Sequence, residues 1–143
     1  MNGPALAARG KTVWAVWYTE GDEETPRVCA ARSKDRGKSF DAPVTISEGS
    51  PLGRVDVVVL ADGSSLVSFL EDGGEGKQAS LRVRRILADG ALTPPVEVAK
   101  VPPRRSSGFP RMTASREGAL IAWTERGDKT RRVRLARLLP TKN

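Results

Sequence analysis

The residue types that carry most proton-transfer and nucleophile chemistry are scarce in this chain. None of its 143 residues is histidine. That removes Ser-His-Asp and Cys-His catalysis, histidine-ligated zinc and imidazole acid–base chemistry together. Cys29 is the single cysteine, which excludes an internal disulfide. One run stands out by spacing: Ser33-Lys34-Asp35-Arg36-Gly37-Lys38-Ser39-Phe40. Asp35 can accept hydrogen bonds from backbone N–H groups inside its own turn. Gly37 can take a positive φ without a Cβ penalty. Phe40 can anchor the turn in a core. The run reads either as a ligand or metal site or as a structural turn. One carboxylate is too few oxygen ligands for calcium, so no metal is expected, and no cofactor.

Lys and Arg number 24 against 17 acids, for a formal charge of +7 and a pI near 10.2. Such a balance admits nucleic acid, anionic glycans, carboxylated ligands or acidic partners. The cations are dispersed, with one local cluster at Arg104-Arg105, which reads as a solvated basic surface. Single-stranded nucleic acid wants exposed stacking platforms. The three Trp, one Tyr and three Phe offer few, because several recur at core-like positions, so nucleic acid ranks last among the partners. No stretch approaches the roughly 18 apolar residues of a membrane span. Met1-Asn2-Gly3-Pro4 shows no basic region followed by an apolar run, so no signal peptide is expected.

The elements that must position these residues repeat. Ala15-Val16-Trp17-Tyr18-Thr19-Glu20-Gly21, Val67-Ser68-Phe69-Leu70-Glu71-Asp72-Gly73 and Ile121-Ala122-Trp123-Thr124-Glu125-Arg126-Gly127 each place an aromatic four positions before a glycine. The aromatics at 17, 69 and 123 are about 53 residues apart. Before each lies a turn with Gly10, Gly63 or Gly118, and before that a short apolar segment: Pro4–Ala8, Val55–Leu60 or Met112–Ser115. After each comes a third segment, Arg27–Arg32, Ser80–Arg85 or Arg132–Arg137. Its best copies alternate, Leu81 and Val83 against Arg82 and Arg84, as a strand with one apolar face must. A fourth segment follows twice, as Ala42–Ile46 and Pro94–Val98. The 14 glycines and 10 prolines disfavour helix. The prediction is all-β: eleven strands in units of four, four and three, over about 3–49, 54–101 and 108–140, with linkers at Ser47–Gly53 and Pro102–Gly108.

Ser33 to Phe40 fits the pattern S-x-D-x-G-x-[S/T]-[W/F] in full, between the third and fourth segments of the first unit. With that motif and the repeat, the chain resembles the sialidase-like, Asp-box (BNR) β-propeller family, and in particular the C-terminal half of a six-bladed member. Leu87-Ala88-Asp89-Gly90-Ala91-Leu92 is the matching place in the second unit; it keeps an Asp-Gly turn without the serine or the aromatic. The resemblance implies that each unit is a four-stranded blade and that its first strand faces a central channel. It implies that the Asp box, with Ser33, Asp35, Gly37, Ser39 and Phe40, is a structural turn at the rim. Longer members of the fold are often exported.

Sialidases of this fold hold the substrate carboxylate with three arginines, use a glutamate-activated tyrosine as nucleophile and an aspartate as acid–base. A guanidinium fork suits a carboxylate because it donates two parallel hydrogen bonds. Arg54 and Arg111 each open a first strand, which makes them the candidate ligand-binding residues at a channel mouth. The competing reading is ordinary ion pairing at a strand end. Pro4 or Ala5 stands where a third arginine would be. No tyrosine follows Arg111, and the early arginine-isoleucine-proline motif is absent. Tyr18 with Glu20 reads as strand packing beside a solvated acid. No catalytic residue is assigned, and the reading is a non-catalytic module. The alternative is a glycosidase-like hydrolase whose acids, such as Asp56, Glu71 and Glu125, pair across a dimer.

Three blades cannot close a ring, since closed propellers have about four to eight. An open half would expose the apolar faces of its first and last blades. Two copies would supply six, so a homodimer of C2 symmetry is expected, with an anionic or carbohydrate ligand at its centre.

Overall fold

The structure, a computed structural model, describes residues 3–20, 25–102 and 108–141. The Arg104-Arg105 cluster, most of the second linker and Gly21 lie outside these described residues. Eleven strands form three antiparallel sheets, and the described residues contain no helix. The first sheet is β1 (Ala5–Arg9), β2 (Thr12–Thr19), β3 (Arg27–Ser33) and β4 (Val44–Thr45). The second is β5 (Pro51–Val59), β6 (Ser65–Glu71), β7 (Ala79–Ile86) and β8 (Val96–Val101). The third is β9 (Arg111–Ala114), β10 (Ala119–Arg126) and β11 (Arg131–Leu138). Within each sheet the strands lie in chain order, joined as a meander. The predicted four, four and three is the arrangement found, as an all-β fold. No helix of the structure is long and apolar enough to cross a membrane.

The sheets stack face to face. Trp14, Val16, Val28, Ala30 and Ile46 of the first pack on Val55, Val57, Val59, Val67, Phe69 and Ile86 of the second. Val58, Leu66, Leu70, Leu81 and Val83 carry the opposite face of the second sheet onto Ala119 and Ile121, with Met112 and Trp123 beside them. The middle sheet is therefore covered on both faces. This explains why Val55–Leu60 is a nearly continuous apolar run, whereas alternation marks strands with one wet face. Arginines tie the layers at their margins: Arg84 donates to the Ile46 carbonyl (2.7 Å) and pairs with Glu48 (2.9 Å), and Arg32 donates to the Ala88 carbonyl (2.9 Å).

The outer faces of the stack are open and apolar. On the first sheet, strand register puts Leu6, 69% exposed, on the face shared by Ala15 and Trp17. On the third, Ala122 and Leu135 are partners and Thr124 partners Val133; Val133 and Leu135 are 71% and 70% exposed. Trp17 was expected in the core because it repeats in register with Phe69 and Trp123. It is only partly buried, because its face is the one that no sheet covers. Phe69 occupies the same register position one sheet later and is fully buried.

Candidate functional site

The first strands β1, β5 and β9 run side by side, each at the edge of its own sheet. Both candidate arginines lie on this row. Arg111 opens β9 as expected. Arg54 does not open a strand: β5 begins at Pro51, and Arg54 sits inside it at an irregularity where register slips between Gly53 and Asp56. The extra residues are absorbed by positive φ angles at Gly53 (83°) and Arg54 (57°). Bulges of this kind re-aim a side chain, and a non-glycine residue in the left-handed region is uncommon enough to mark a special position. The linker expected at Ser47–Gly53 is correspondingly shorter, because Pro51 already pairs with Glu71.

The bulge turns Arg54 toward the third sheet. Its Nη1 donates to the Gly108 carbonyl at 2.7 Å, and its guanidinium stands 4.3 Å from the Phe109 ring centroid, a cation–π distance. Two residues on, Asp56 is buried; its Oδ2 accepts from the Met112 N–H (2.7 Å) and lies 3.6 Å from Arg111 Nε. A buried carboxylate needs such partners. Arg111 is itself 75% exposed, so its ion pair with Asp56 adds little to stability, and its guanidinium faces solvent. The site is thus a four-part bridge between β5 and β9, with Arg54 fixed against Phe109 and Arg111 hinged on Asp56. Sequence reasoning missed Phe109 and read Asp56 only as a possible acid. Both roles depend on contacts more than fifty residues away in the chain.

The remaining candidate acids are engaged. Glu71 faces Arg82 (3.5 Å) and Glu125 faces Arg134 (2.9 Å). Tyr18 donates its hydroxyl to Glu20 at 2.7 Å, in line with a tyrosine–carboxylate pair. Burial, then the hydrogen bond to Glu20 and its charge, push the phenol up to about 12. Tyr18 is therefore a neutral donor at ordinary pH. Among the described residues no group of three or more His, Cys, Asp or Glu could hold a metal.

The Ser33–Phe40 turn closes on itself. Ser33 is buried; its hydroxyl donates to Asp35 Oδ1 (2.7 Å) and accepts from the Gly37 N–H (2.8 Å) and the Asp35 N–H (3.3 Å). Asp35 also accepts from the Ser39 N–H (2.9 Å) and, through Oδ2, from the Ser39 hydroxyl. These bonds, Ser39's hydroxyl first, hold the Asp35 carboxyl at about 2. Gly37 has φ 85°, as required, and Arg36 has φ 63°. Phe40 departs from expectation: it is 46% exposed rather than seated in the core. The serine and aspartate bonds close the loop before Phe40, so the ring is not needed as an anchor.

An apolar cleft of about 470 Å3 lies between β8 and the end of β11, lined in part by Leu66, Val83, Val96, Val98, Leu138 and Leu139. It lies beside the outer edge of β11, which no fourth strand covers among the described residues. No known family model matches this chain, and no curated protein sequence matches it either.

Proposed function

We propose that the three sheets are blades of a sialidase-like β-propeller and that the protein is a non-catalytic binding module. In this reading two copies complete a six-bladed ring, and the ring binds an anionic or carbohydrate-type ligand at its central channel through Arg54 and Arg111. The observation that carries the reading is the row of first strands β1, β5 and β9 with both arginines on it. The open faces support the dimer. Each interface would pack Leu120, Val133 and Leu135 of one copy against Leu6 and Trp17 of the other, removing both apolar patches from water at once. Twofold symmetry would then double the two arginines to four around one axis.

Light scattering tests the ring: a dimer is expected, and a stable soluble monomer would sink it. Titration with a carboxylated sugar such as glucuronate tests the site. Arg54→Ala with Arg111→Ala should abolish binding, whereas unchanged binding would refute the assignment.

A second reading is a glycosidase-like hydrolase with a site shared across the dimer, in which acids such as Asp56, Glu71 and Glu125 would pair across the ring. It predicts turnover of some member of a fluorogenic glycoside panel. No turnover across the panel would count against it.

A further inference from the structure

The three variable positions of the Asp box are all cations. In Ser33-Lys34-Asp35-Arg36-Gly37-Lys38-Ser39, the serines, Asp35 and Gly37 make the closing bonds, while the side chains of Lys34, Arg36 and Lys38 take no part in them. The matching turn of the second sheet, Leu87 to Leu92, carries no cation at all. The turn between β1 and β2 adds a fourth: the Arg36 N–H donates to the Lys11 carbonyl at 3.0 Å, which locks the two turns together. Lys11, Lys34, Arg36 and Lys38 line a shallow concavity of about 290 Å3, together with Asp35. The Asp35 oxygens point into the turn, onto Ser33 and Ser39. Asp41 lies 3.4 Å from Lys34 and 3.6 Å from Arg32. Five cations thus stand against two carboxylates, and Lys11, Arg36 and Lys38 have no ion pair among the described residues.

Exposed lysines hold a single oxyanion weakly, because water screens each pair. Several cations converging on one concavity favour a ligand that brings several anionic groups together. No aromatic side chain lines the concavity, so there is no platform for stacked bases. We propose that this basic rim is a second binding site, separate from the Arg54–Arg111 row, and that it takes a sulfated polysaccharide, whose anionic groups are dense and whose sugars need no stacking.

The test is binding of the full chain to a fluorescein-labelled heparin oligosaccharide, read by anisotropy over a salt series. Lys34→Ser with Arg36→Asn and Lys38→Ser should weaken binding at low salt by at least about tenfold and flatten its salt dependence. Asn is chosen at position 36 because it tolerates the left-handed backbone there. A control, Lys129→Ser with Arg131→Ser and Arg132→Ser, removes three cations from the third sheet and should change affinity less than about twofold. A second variant, Lys11→Ser with Lys34→Ser, should show an intermediate loss. Absence of binding by the unaltered chain would overturn the proposal. An equal loss in the control would do the same by showing diffuse attraction, as would tighter binding of single- or double-stranded DNA. Arg54→Ala with Arg111→Ala should abolish glucuronate binding while costing heparin less than the Lys34, Arg36 and Lys38 variant does, which separates this site from the channel reading.

Discussion

Two turns occupy the same place in consecutive sheets and close by different means. The first, after β3, spans ten residues to β4 and is held by side chains: Ser33, Asp35 and Ser39 bond one another and the Gly37 N–H. The second, after β7, spans nine residues to β8 and is held mainly by backbone. Leu87 N–H donates to Ala91 (2.8 Å), Gly90 N–H to Leu87 (2.8 Å) and Thr93 N–H to Arg85 (3.0 Å), while Ile86 bridges Leu92. Side chains assist it from within and without: the Ala91 N–H donates to Asp89 (2.9 Å), the Thr93 hydroxyl accepts from the Arg85 N–H (3.2 Å), and Arg84 and Arg32 donate to the Thr93 and Ala88 carbonyls (2.7 and 2.9 Å). Where backbone groups find each other, a turn can lose its special residues. The first turn has the same outer backbone bond, Asp41 N–H to Arg32 (2.7 Å), but its inner N–H groups find serine and aspartate oxygens in place of carbonyls.

That difference sets the order of effects expected from mutation. Ser33→Ala should be the most disruptive change in either turn, at about 1–3 kcal/mol, because it removes a buried hydroxyl that makes three hydrogen bonds within the turn. Asp89→Ala, which removes one exposed bond, should lower stability by about 0.5–1 kcal/mol. Urea unfolding of the two variants compares them directly; equal losses would break the distinction between the turns. Glycine is what the turns share. Gly37 (φ 85°) and Gly90 (φ 94°) both sit where an L side chain is strained, so replacing either by Ala should destabilise by about 1–2 kcal/mol. A clear inequality in thermal melting would mean that one turn can re-form around a different backbone.

Acid should act on the first turn. The Asp35 carboxyl lies at about 2 against an ordinary 3.8, so below pH 4 the unfolded chain binds more protons than the folded one. Its contribution is complete above that range and is lost as pH falls toward 2. Asp62 and Glu97, also lowered by their hydrogen-bond partners, add to the same slope. Asp35→Asn should therefore flatten, without abolishing, the fall in urea midpoint between about pH 4 and pH 2. An unchanged slope would show that Asp35 is not held by the turn. The smallest effect belongs to Phe40→Ala, within about 0.5 kcal/mol, because a half-exposed ring loses little on truncation. A loss of about 3 kcal/mol would instead mean that the Phe40 side chain is buried in solution.

Much of this architecture was legible from residue pattern. Alternation at Leu81, Arg82, Val83 and Arg84, with glycine turns at 10, 63 and 118, places the strands within a few residues, because pleat and turn are local constraints. The Asp-box bonds were legible for the same reason: every partner lies within four residues of Ser33 or Asp35. The Arg54 site was not. Nothing in Pro51-Leu52-Gly53-Arg54 announces a bulge with an arginine at φ 57°, and its partners Gly108 and Phe109 are more than fifty residues away. The shorter linker and the exposed Phe40 escaped notice because each depends on what lies opposite, not on what lies adjacent.

The sequence by itself determined that the chain is all-β, with eleven strands in units of four, four and three, and that the Ser33–Phe40 turn closes on its own residues. Periodicity and turn chemistry are properties of neighbouring residues, so they survive being read in one dimension. Tertiary structure alone decided which faces are covered. Trp17, Phe69 and Trp123 are equivalent in the repeat, yet Phe69 lies fully buried between two sheets while Trp17 stays on an open face. Burial is set by the neighbour that arrives from elsewhere in the chain, and so is the bridge that joins Arg54 and Asp56 to the strand carrying Arg111.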